Sequence, residues 1–438
     1  MKEITKIIGL LMLMFGTVSA QQRGIEGDNW LNNWTQFNPK TVDYGESSHI
    51  LTGNITEDTK LLKKNVYQLL GDVFVTNNAK LSIEPGTVIM ADAETRASLT
   101  ITKGAKIVAE GLLTDPIVFT SNKSYKKAGD WRGIILLGDA PTNKLGNTSS
   151  ISSFYSNMKP ENYENTNFGG SNPKSNSGIL KYVRIEYAGA VKKVKNPDAS
   201  NAILLAGIGN ETIINNVMVS YSAGNSFNVI GGEVNLEKIV SFKSAGTDYK
   251  FNYGAQCNLS NGLAIRSPYT SNGVDSRCMK VVSYDKKGDV DFSKKGTAII
   301  ANNVTFLTDT ETLDSDIKLG LVKESIYIGE NTLFEIGKSV ISGFSPAVLL
   351  NENILINGEN LAKLQFSKMY FNNCNGNIFR DYNSNNEDLE NWYGNDAFFN
   401  VYSKSEHSEI FVDIKNRKKP DYRLRINEIV AMNNLGGN

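Results

Sequence analysis

Histidine is nearly absent: His49 and His407, toward opposite ends of the chain, are the only two. A Ser-His-Asp triad would have to use one of them, and no Gly-x-Ser-x-Gly elbow is present, so serine hydrolase chemistry is not expected. Cys-His catalysis fails on the same shortage, and no HExxH, P-loop or dinucleotide fingerprint lies beside a suitable strand. An excess of one charge is missing as well. Lys+Arg and Asp+Glu both number 46, a formal net charge of zero, which leaves no basic surplus to neutralise a phosphate backbone and excludes nucleic acid as the expected partner. None of the three cysteines, Cys257, Cys278 and Cys374, has a CxxC partner, so neither a redox motif nor a zinc site follows. Long apolar runs are confined to the first twenty residues, and no later stretch is apolar enough to span a bilayer as a helix.

That opening stretch reads as a targeting signal. Lys2 and Lys6 mark a basic n-region, Ile7 to Val18 is apolar, and Val18-Ser19-Ala20 is a small-residue cleavage site. The expectation is an exported protein whose mature chain begins near Gln21, with no cysteine after the apolar run to carry a lipid anchor. A mature chain of that length buries a continuous core without staples.

Internal repetition is the main structural signal. Leu81 to Ile89 matches Leu99 to Ile107 at an offset of 18, with apolar and glycine positions in step. A second series, Val-x-Val-x-aromatic followed by Ala-Gly, runs through Val183 to Gly189, Val217 to Gly224 and Ile239 to Gly246. Shorter strands ending in glycine, Ile203 to Gly207 and Phe227 to Gly232, lie between them. One such unit cannot bury its apolar face alone, whereas stacked units bury it against each other, with glycine at corners that need positive φ. The pattern predicts an all-β parallel β-helix; a β-sandwich is the competing fold, and it leaves the matched glycines unexplained.

Expected boundaries are a signal peptide at 1–20, an N-terminal capping segment at 21–50, the β-helix at 51–353 and a β-rich cap or appended region at 354–438. Residues 142–177, polar and rich in Asn, Ser, Gly and Lys, read as a loop projecting from one turn. Trp30 and Trp34 are expected to cover the open apolar end of the solenoid, with stacking on sugar rings, together with Trp392, as the other reading.

Several stretches together resemble a poorly characterised family of exported right-handed parallel β-helix proteins from Bacteroidetes-type bacteria. They are Leu51 to Ile55, Gly71 to Val75, Leu81 to Ile89, Pro116 to Ser121, Gly129 to Asn143, Gly178 to Gly189, Gly231 to Asn235 and Ala264 to Arg266. The resemblance spans roughly residues 50 to 345 and implies right-handedness and an outer-membrane, cell-surface or periplasmic location, but no known reaction. Asp-rich runs of relatives are replaced here by Asn, Ser, Gly and Lys near Ser171 to Ser177, Ser222 to Ser226 and Ala245 to Tyr249. A C-terminal sorting domain is not recognisable in Asn400 to Asn438.

Parallel β-helices commonly present a lateral groove to glycans, so polysaccharide cleavage is the reaction to weigh. A lyase needs acids to hold calcium or neutralise a uronate plus a Lys or Arg base, and a hydrolase needs two carboxylates. The candidates are Arg266, Asp275 and Arg277, close in sequence, and Asp285, Asp289 and Asp291. The structural alternative pairs Arg266 with a neighbouring turn and makes the aspartates turn caps. Asp381, Asn383 and Asn385 resemble the opening of a calcium loop, but Trp392 stands at the twelfth position where a bidentate Glu belongs. No cofactor is expected, calcium being the one candidate. Cys257 and Cys278, about one solenoid turn apart, are the candidate disulfide, with buried free thiols the alternative. The favoured function is a non-enzymatic envelope or surface scaffold binding an outer-membrane protein or a surface glycan. A polysaccharide lyase or glycoside hydrolase is the alternative.

Overall fold

The computed structural model describes residues 29–155, 158, 160–190, 200–271, 275–380, 386–416 and 419–425. The expected signal segment and Asp381, Asn383 and Asn385 lie outside these residues. The described residues fall into two compact units, one within 32–404 and the other formed by 29–31 with 405–416 and 419–425.

The larger unit is the parallel β-helix the repeat predicts, right-handed as the family resemblance implies, with its strands joined in one 26-stranded parallel assembly. Each coil contributes to three lateral sheets. Sheet 1 stacks residues 183–186, 217–220, 239–242, 262–266 and 304–308. Sheet 2 stacks Gly133–Leu137, Asn201–Ala206, Asn225–Ile230, Tyr249–Asn252 and Met279–Val281. Sheet 3 stacks 178–181, 213–215, 233–237, 256–260 and 298–302. Alternation does the sorting: Val217 and Val219 enter the core while Met218 between them faces outward, and Val183, Ile185 and Ile239 join the same interior column. One continuous cluster from Leu61 to Tyr393 results, each coil closing its neighbour's apolar surface.

The Val-x-Val series is in true register, since Val183, Val217 and Ile239 lie on successive rungs. The 18-residue match is not. Leu81 stacks on Ile107, and Leu99 lies between Val73 and Ile134, so the two similar stretches are successive arcs of one coil. Local turn chemistry repeats from arc to arc, and the coil there is longer than the motif. Glycine takes positive φ at Gly86, Gly104, Gly189, Gly207 and Gly231, as the repeat leads one to expect. In the coils from residue 178 on, however, the bend between sheets 3 and 1 is made by one non-glycine residue of positive φ: Tyr182, Asn216, Lys238, Asn261, Asn303, Lys338 or Lys368. Asn tolerates this conformation best, and a single residue bends the strand without breaking the ladder.

Stacking continues past residue 353. Leu364–Ser367, Tyr370–Asn372, Ile378–Phe379 and Val401–Ser403 each pair in parallel with an earlier coil. The boundary expected at 353 is therefore too early; polar loops between very short strands dilute the apolar pattern there. In the smaller unit, Phe411–Asp413 pairs antiparallel with Asp421–Leu424.

Two segments, the loop expected to project and the N-terminal segment expected to cap the solenoid's end, lie along the sides of the coils instead. The insertion folds back over sheet 2: Ile151, Phe154, Tyr155 and Phe168 form a second apolar cluster with the outward-facing Ile135, Leu137, Leu204, Ala206 and Ile230. Tyr155 fastens it, its hydroxyl 2.6 Å from Thr100 Oγ1, its ring against Phe74 and beneath the Arg132 guanidinium. Four apolar side chains scattered among polar residues are enough to dock a segment on an apolar sheet, which a composition average hides. The N-terminal segment runs along sheet 1, not over the solenoid's end. Trp34 packs edge-on against Tyr182 and Phe37 against Phe242, Lys40 lies over the Tyr221 ring, and Tyr44 reaches Glu186. Trp30 belongs to the other compact unit. With sheets 1 and 2 covered in this way, sheet 3 keeps an exposed outer face bearing Lys80, Lys106, Ile213, Asn235, Asn258, Ile300, Leu333 and Glu335.

Candidate functional site

Sheet 1 ends at Arg266, and sheet 2 resumes at Met279, so the corner between them gathers Arg266, Asp275 and Arg277. The previous coil brings Asp248 and Lys250 to the same corner, because Tyr249 stacks on Met279. The following coil adds Glu324. Arg266 Nη1 donates to Asp248 Oδ2 at 2.8 Å and to the carbonyl oxygens of Gly246 and Arg277. Arg277 meets Asp275 at 3.2 Å and Glu324 at 2.9 Å, and its guanidinium lies over the Tyr327 ring. Lys280 reaches Asp275 at 2.7 Å and Lys250 approaches it at 3.9 Å.

Burial decides the electrostatics. Asp248 has no exposed surface, and loss of solvent pushes its carboxyl above the usual range, opposed by Arg266 and the Ser241 hydroxyl. Asp275 is also desolvated, which raises it, but Lys280, Arg277 and Lys250 together outweigh that and hold it below the usual range. The cluster is an interlocked set of charge pairs tying three coils together. A narrow cleft open to solvent lies against it, lined by Arg266, Ser276, Thr308 and Glu324 among others.

The other three candidate acids are elsewhere. Asp285, Asp289 and Asp291 lie in the connection from sheet 2 to sheet 3, at the opposite end of the Met279–Val281 strand. Asp285 accepts from the Tyr253 hydroxyl at 3.3 Å. The carbonyl oxygen of Asp289 accepts from the amide of Leu145 in the insertion. Asp291 caps its own turn, accepting from the Ser293 hydroxyl and amide, and these bonds hold its carboxyl below the usual range. The six candidates thus fall into two groups that share no groove. Among the described residues no cluster of His, Cys, Asp and Glu could hold a metal ion.

Cys257 and Cys278 are free, which corrects the expected bridge. Cys257 is on sheet 3, on the rungs of Val234 and Ile299; Cys278 precedes a strand of sheet 2. One turn of sequence separation does not place two side chains on the same sheet. Burial pushes both thiols up, and Cys374 up to about 11, so all three are inert at neutral pH.

Sequence reasoning missed Asp248, Lys250, Lys280 and Glu324. Their signal was the rung alignment: a residue before one sheet 2 strand faces its counterpart before the next, so Asp248 stacks over Cys278 beside Arg277. No helix among the described residues is long and apolar enough to cross a membrane. No curated protein and no solved structure matches the chain. A family model described as a pectate-lyase-like β-helix domain matches residues 53–406, the span over which the coils stack, and the chain belongs to that family.

Proposed function

We propose that this protein is a non-enzymatic scaffold of the cell envelope or surface, a rigid β-helix that binds an outer-membrane protein or a surface glycan. The observation that carries this reading is the state of the corner cluster. Its acids and bases are engaged with one another in buried ion pairs, so no free acid or base of the cluster stands ready for a sugar ring. The surface left for a partner is the outer face of sheet 3, since sheets 1 and 2 carry the chain's own segments. Its exposed Ile213, Ile300 and Leu333 sit among Lys, Glu and Asn side chains, an apolar centre with a polar surround.

Affinity isolation from the native envelope tests this, with Ile213→Glu and Ile300→Glu as matched controls. A partner recovered by the parent chain and lost at least ~10-fold by the variants supports the assignment; equal recovery by both overturns it. The pectate-lyase-like family model favours polysaccharide cleavage as the second reading. A screen of uronate-containing and neutral polysaccharides for unsaturated or reducing products tests it, and no product is expected.

A further inference from the structure

Glu186 is an outward-facing residue of sheet 1 with no exposed surface, because the N-terminal segment lies over it. One carboxyl oxygen accepts from the Tyr44 hydroxyl of that segment at 2.9 Å; the other, Oε2, makes no hydrogen bond among the described residues. The charged and polar groups around it come from every neighbouring element. Arg184, on the same strand, holds its Nε 3.9 Å from Oε1. Thr120 faces it from the preceding rung, Lys126 from the loop before Trp131, and Tyr187 from the adjoining corner. The segment goes out along sheet 1 as far as Phe242, turns at Pro39–Thr41 and comes back to Glu186. Arg184 Nη2 also donates to the Tyr44 hydroxyl at 3.4 Å, Trp34 and Phe37 add ring contacts, and the Gln36 amide approaches the Met218 sulfur.

We propose that residues 34–44 form a pH-released strap, docked on sheet 1 while Glu186 is neutral and freed when Glu186 ionises. A carboxylic acid tolerates burial with one oxygen unpartnered; a carboxylate in that position is strongly disfavoured. Ionisation is relieved by lifting Tyr44 and admitting water. Burial raises the Glu186 carboxyl above the usual range, with the Arg184 cation first and the Tyr44 bond after it opposing. The sign follows from linkage: a value raised in the docked state means docking is favoured at low pH and lost as pH rises through that value. Tyr44 is itself pushed up, by burial first and by Glu186 second, so it remains the donor throughout. Release uncovers Met218 and Phe242 and the stacked pair of Tyr187 and Tyr221, an aromatic and apolar strip beyond the face assigned to the partner above.

Trp34, which has no exposed surface when docked, reports the motion. The emission of the full chain minus that of its Trp34→Phe variant, followed from pH ~5 to ~9, should shift to the red with a midpoint above the ordinary glutamate value of about 4.3. Glu186→Gln should keep the low-pH emission throughout. Arg184→Gln, which removes the cation 3.9 Å from Oε1 that favours the charged form, should move the midpoint upward and serves if Glu186→Gln does not fold. An unchanging emission in the parent chain overturns the proposal, as does a transition that persists in Glu186→Gln or an Arg184→Gln midpoint left in place.

Discussion

Arg266 and Asp248 meet at 2.8 Å with almost no water around either. Removing one partner of such a pair leaves an uncompensated buried charge, so Arg266→Met should destabilise the coils by about 3–5 kcal/mol in chemical denaturation. Asp275 gives the complementary pH effect. Its carboxyl is held below the usual range in the fold, so its contribution is present above the unfolded value and is lost as pH falls through the folded one. Asp275→Asn should flatten the acid limb of the stability profile without adding a new alkaline transition. Arg266, Asp275 and Arg277 were legible in the sequence as a group of chemically able residues. What was hidden was their company: Asp248 is a coil earlier and Glu324 a coil later, and partners that far apart are visible only once the rungs are aligned.

The insertion shows how far composition can mislead about an element. Its polar average predicted a projecting loop, yet Ile151, Phe154, Tyr155 and Phe168 dock it on sheet 2. Excising it would expose Ile135, Leu137, Leu204 and Ile230 together, a patch that soluble proteins seldom leave open. The deletion variant should therefore bind a hydrophobic dye and aggregate; one that stays monodisperse with an unchanged melting curve would contradict the docked arrangement. Tyr155→Ala should free the segment more selectively, seen as faster proteolysis within 142–177 while the coil transition is retained. Strand identity was readable from alternation at Val217 and Val219 and at Ile203 and Leu205. Register was readable only where coils are short and uniform, as between Val217 and Ile239, and not where a coil outruns its own motif.

Across the whole molecule, stability comes from one long interior column and not from cross-links. Thermal unfolding curves with and without dithiothreitol should superimpose, since Cys257, Cys278 and Cys374 are free thiols; a lower midpoint in the reductant would reveal a bridge. The three-sheet plan was foreseeable in outline from the repeat. Which lateral face stays bare was not, because that depends on where the insertion and the N-terminal segment come to rest. The N-terminal segment also bears on the order of assembly. A solenoid grows as its chain is delivered, each new layer needing only the one before it. The N-terminal strap is the exception: Tyr44 waits for an acceptor 142 positions downstream and Gln36 for one 182 positions downstream. The earliest part of this body to be made therefore completes its seat only once Phe242 has been added, and a chain halted before Tyr182 would carry it loose.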